Sequence, residues 1–194
     1  VDDLVREAAR LADGATFHFE LDNAQALRAA ASYTVDAADA YNTLIATSCD
    51  PDTVESWRSE LVNLLFDAFG HVGQVIDVED ATGLTRMFAY HASGEQRAAG
   101  LARAAAIRYR CDPSGGADVL QEALGGGASW NDFAQGLSTS FAGSPSFTYV
   151  EEQMMDGSLE PRFLHSMALE DQLPAYETDS FQDWFDDVGG YRAN

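Results

Sequence analysis

Between residues 24 and 48, Leu27, Ala31, Thr34, Ala38, Tyr41, Leu44 and Ile45 recur every three or four positions, with Asp36 and Asp39 on the opposite side. That period is the signature of an amphipathic α-helix, and no strand sustains it. It recurs along most of the chain. Residues 1–12 place Leu4, Val5, Ala8, Ala9, Leu11 and Ala12 at helical spacing, with Gly14 as the expected stop. From Val54 the apolar face runs through Trp57, Leu61, Leu64, Leu65, Ala68 and Val72, and the helix is expected to reach Val75 despite Gly70 and Gly73. Residues 78–92 group Leu84, Met87, Phe88 and His91, and the segment up to Arg110 turns Leu101, Ala105 and Ile107 inward. Shorter helices are expected over 117–124, 130–141, after Pro161 and over 179–188. Only Thr16–Leu21 alternates as a strand would, with no second strand to pair with. The chain is therefore expected to be mostly α: one bundle-like domain over 1–194, about seven or eight helices, at most a minor strand element.

Helix boundaries carry their own chemistry. Asp52-Thr53-Val54-Glu55 has the form of a capping box; alternatively Asp50 caps and Pro51 takes the first helical position, where its missing N–H costs nothing. Ser93-Gly94-Glu95-Gln96 is a second capping box, and Ser129 is placed to cap the helix beginning at Trp130. Cys-Asp-Pro occurs at 49–51 and again at 111–113, each time after an Ala-rich helix, although Cys111–Gly116 as a whole has loop composition. The flanks do not align well enough to make a repeat. Cys49 and Cys111 are too few for a metal site or a disulfide framework; reduced thiols are expected, with a single disulfide as the alternative.

Charge excludes several functions. The 32 carboxylates face 11 basic residues, all arginine, for a net charge of −21. Phosphate affinity needs a basic surface, so nucleic acid is excluded as a partner, as is docking on anionic lipid. No apolar run is long enough to cross a bilayer, and the start of the chain has no signal-peptide pattern, so a cytoplasmic setting is expected, with a processed mature terminus equally permitted. Aspartate in excess over glutamate, with no lysine at all, fits adaptation to molar salt, where the mutual repulsion is screened. An acidic protein of a GC-rich organism is the alternative. The charge is unevenly spread: residues 1–85 carry −12, residues 86–150 are neutral and residues 151–194 carry −9.

Motifs for chemistry are missing. The chain has no Walker loop, no nucleophile elbow, no HExxH and no Glu-x-x-His pair, and no cofactor is expected. His18, His71, His91 and His165 fall in separate segments; His71 and His91 would meet only if their helices formed a hairpin. Asp77, Glu79 and Asp80 make an acidic knot without the order of an EF-hand loop. Two features instead suit a protein partner or self-association. Arg97, Arg103, Arg108 and Arg110, with Tyr109, concentrate on one helix of the neutral middle. Phe181, Trp184, Phe185 and Val188 space an apolar helix face among aspartates, which makes 179–194 a candidate docking tail. The expected function is a non-enzymatic interaction or assembly component, such as a subunit of a complex or virion-like particle, working at high salt. An enzyme with a cleft near His71 and His91, and a helical chaperone or adaptor holding a client peptide, are the alternatives.

Overall fold

The computed structural model describes residues 2–21 and 23–129, together with Asp132, Phe133, Gly136 and Ser140. Six helices account for most of them: α1 (Asp2–Phe19), α2 (Ala24–Thr47), α3 (Pro51–Phe69), α4 (Val78–His91), α5 (Gly94–Cys111) and α6 (Pro113–Gly125). No strand occurs among the described residues. The connections are short, so each helix packs on its predecessor: α1 on α2, α2 on α3, α4 on α5 and α5 on α6. The α3 helix holds the array together, touching α1, α2, α4 and α5. The expected segments after Pro161 and over 179–188, and most of 130–141, lie outside the described residues.

Most helix starts use the same chemistry. Asn23, Asp50, Asp77 and Asp112 are extended N-caps whose side chains accept from the backbone N–H of Ala26, Thr53, Asp80 and Gly115. An aspartate there satisfies an orphan donor and places negative charge at the positive end of the helix dipole. Asp50 with Pro51 at the first turn thus prevails over the Asp52 capping box. Ser93 stands at the α5 N-cap but makes no side-chain cap bond, and Gln96 Nε2 donates instead to Asn63 Oδ1 at 2.9 Å. Ser129 does cap: its Oγ accepts from Asp132 N at 3.3 Å, while its own N–H and hydroxyl donate to Asp132 Oδ2.

The structure corrects several boundaries. Gly14 does not stop α1, and Thr16–Phe19 is helical, because Ala8, Leu11, Ala15 and Phe19 form one buried stripe. The glycine lies under the ring of Tyr33 on α2, where a Cβ would sit 3.4 Å from the ring carbons. The α3 helix ends at Phe69, and Gly70–Val75 turns toward α4. The expected loop at 113–116 is the first turn of α6, with Asp112 and Pro113 repeating the roles of Asp50 and Pro51.

The core runs continuously from α1 to Phe133, and about half of its buried apolar positions are alanine. Such small side chains let helix backbones approach closely. Gly100 on α5 lies against the fully buried Phe88 ring of α4, where a Cβ would fall 2.2 Å from the ring tip. Gly136 lies on α5 itself, with room for no side chain above Arg103 and Ala106.

Candidate functional site

The α5 arginines turn out to be fastened to the ends of neighbouring helices. Arg97 donates from Nε to the Ala89 carbonyl at 2.9 Å, in the last turn of α4, and its Nη2 pairs with Glu122 of α6. Arg103 donates to the Phe66 carbonyl at 3.4 Å, in the last turns of α3, and its guanidinium lies 4.0 Å over the Phe66 ring. Arg108, buried, pairs through Nη2 with Asp112 Oδ2 at 2.6 Å, the same carboxylate that caps α6. The physical logic is common to the first two: the last carbonyls of a helix lack partners and carry the negative end of its dipole, so a guanidinium satisfies both needs. Burial pushes the Arg103 pKa down, with Asp132 and Asp67 opposing the shift. Of the interface residues expected from sequence, these three are thus engaged inside the chain. The side chains of Tyr109 and Arg110, and residues Phe181, Trp184, Phe185 and Val188, lie outside the described residues.

His71 and His91 have separate surroundings. His71 stacks on Phe19 at 4.7 Å between ring centroids, and its Nδ1 bonds the Asp67 carbonyl at 2.8 Å. His91 is buried at the end of α4, with Nε2 at 3.0 Å from Asn42 Oδ1 of α2. The carbonyl acceptor assigns the ring proton to Nε2, so Nδ1 carries a buried lone pair with no partner among the described residues. Burial lowers the His91 pKa, and the nearby Arg58 lowers it further. Arg58 lies in the first half of α3 and His71 just past its end, so the two imidazoles attend opposite parts of one helix.

The acidic knot gains members from another helix. Asp80 has its pKa raised first by burial, then by Asp77, Glu79, Asp39 and Asp36, which brings α2 carboxylates into the field of the α4 start. Among the described residues, no group of three or more His, Cys, Asp or Glu has the arrangement to hold a metal ion. Cys49 is an exposed free thiol at the α2–α3 corner. No described helix is long and apolar enough to cross a membrane.

Exposed apolar side chains complete the picture. Phe17, in the last turn of α1, is 58% exposed, and Leu21, two residues past the helix end, is exposed as well. On α4, Val78 is exposed and Tyr90 is 83% exposed. The clue to the α4 surface in the sequence was Gly83, a glycine in mid-helix; Phe17 and Leu21 were hidden by the strand-like alternation around them. No protein-family model, no curated protein and no solved structure matches this chain.

Proposed function

We propose that this chain is a non-enzymatic protein–protein interaction or assembly component, a structural subunit of a complex or virion-like particle adapted to high salt. The observation that carries this is the set of large apolar side chains left in solvent on an acidic helical body, foremost the Phe17–Leu21 pair and Tyr90. Aromatic and aliphatic side chains of this kind are anchors when a partner covers them. The acidic field around Asp80 supports the salt adaptation: carboxylates crowded without a described cation repel each other until mobile ions screen them. The partner is a protein, and the setting is a salt-rich cytoplasm or a particle made there. Residues 179–194 remain a candidate docking tail on the strength of their spacing alone.

Light scattering of the full chain in about 2–3 M KCl, where screening is nearly complete, tests the proposal. An oligomer, or a stable complex with a co-purified protein, is expected. Replacing Phe17 and Leu21 together by glutamate should disrupt it while leaving the helical circular dichroism intact. A monomer at every concentration that binds no protein refutes the proposal.

A further inference from the structure

The outer face of α4 carries a bare glycine, an arginine unpaired among the described residues and a carboxylate on one stripe. Its inner face is accounted for: Ala81, Leu84, Thr85, Phe88 and His91 are buried. Glu79, the adjacent Thr82 and Gly83, Arg86 and Tyr90 recur at helical spacing and share the opposite side, within about a third of the helix circumference. Among the described residues, nothing explains two of them. Gly83 is exposed in mid-helix, where glycine is disfavoured, and a Cβ added to it meets nothing within 4 Å. Arg86 is exposed and has no hydrogen bond or ion pair among the described residues, in contrast to the three α5 arginines described above. One turn or more before it stand Glu79 and Asp80, beside Asp77, Asp36 and Asp39, with no described cation paired to any of the five.

We infer that two copies of this chain pair through α4, antiparallel, about a two-fold axis passing between Thr82 and Gly83. Resting on the interaction function proposed above, this names the partner. In that register Thr82 faces Gly83 of the second copy, so the two smallest side chains of the stripe lie at the crossing and let the backbones approach. Arg86 then falls opposite the second copy's Glu79, and symmetry repeats the pair. Tyr90 reaches the start of the opposite α4, close to the exposed Val78. A parallel pairing would set Arg86 against Arg86 and Glu79 against Glu79, so charge selects the antiparallel arrangement. The face is complementary to itself, which is what an isologous contact requires and what a surface made for an unrelated protein does not need.

Sedimentation equilibrium of the full chain, in about 0.3 M and about 2 M KCl, is the test, because a charge pair matters more where screening is weaker. The parent is expected to dimerise. Arg86→Glu and Glu79→Arg should each weaken self-association by about tenfold or more, most in the lower salt, and the double substitution should restore it. Gly83→Leu should abolish pairing with helicity unchanged, since a Cβ at that position meets no described atom within 4 Å. A monomeric parent, an Arg86→Glu chain that associates as the parent does, or a charge swap without recovery overturns the pairing. An assembly that is lost with the Phe17 and Leu21 substitutions but indifferent to Arg86→Glu removes the α4 pairing and leaves the interaction function standing.

Discussion

Gly100→Ala should destabilise the fold, although alanine is the better helix former. Position 100 is in the middle of α5, so the substitution gains about 1 kcal/mol of helix propensity. Against this, the new Cβ would fall 2.2 and 2.3 Å from two carbons at the far edge of the Phe88 ring. Ordinary carbon contacts are near 3.5–4.0 Å, so the ring must withdraw by roughly 1.5 Å. It has nowhere to go: Phe88 is fully buried and stands edge-on to Phe69 at 5.4 Å. Overpacking of this kind costs up to about 3 kcal/mol. The net loss is then about 2 kcal/mol, which for a chain of this size lowers the melting temperature by roughly 4–8 °C. Denaturant unfolding in molar KCl, followed by circular dichroism, measures it. The Gly100→Ala, Phe88→Leu double variant should lose less than the sum of the two single changes, because the shorter side chain makes room. The same exchange at Gly83, tested in the Arg86→Glu background, should stabilise by about 0.5–1 kcal/mol, since that Cβ enters open space. A neutral or stabilising Gly100→Ala, or strict additivity with Phe88→Leu, refutes the tight α4–α5 crossing.

Three further outcomes are expected. The His91 pKa is depressed below 6.5, so the unfolded chain takes up its proton first; stability is full above that value and falls as pH drops through the folded pKa. His91→Gln keeps a donor toward Asn42 without titrating, and its unfolding midpoint should change less between pH 7.5 and 5.5. The Asp80 pKa is raised above 3.8, so the folded state prefers the protonated acid and loses stability as pH rises through the folded value. Asp80→Asn should therefore stabilise at pH 7, with the gain fading below about pH 4 and shrinking in molar KCl. Arg97→Ala removes both the bond to the Ala89 carbonyl and the Glu122 pair, and should cost roughly 1–2 kcal/mol in thermal or denaturant unfolding.

Helix content was legible because the apolar period is long; of the four Asx caps only Asp50 was in view, as an alternative to the Asp52 capping box. Two of the misread boundaries have a common cause. At Gly14 and at Gly115 the glycine looked like punctuation, whereas its role is set by a neighbour in space: the Tyr33 ring in one case, the Arg108–Asp112 pair in the other. Local composition contains no trace of either neighbour. The arginine cluster was legible as a cluster but not as a set of helix-end clamps, because the carbonyls of Phe66 and Ala89 that receive Arg103 and Arg97 belong to other helices. The outward face of α4 was not read from Gly83 and Arg86, because its meaning depends on knowing that no described residue covers it.

The alanine-rich core has a consequence for the choice of solvent. Each buried alanine removes only one methyl group from water, so the driving force per position is small. Such a core gains most from cosolutes that are excluded from protein surface and raise the cost of exposing it. Screening depends on ionic strength, whereas exclusion depends on which anion is present. At matched ionic strength, potassium sulfate should therefore stabilise this fold more than potassium chloride. That difference would separate the contribution of its small, close-packed interior from that of its crowded carboxylates.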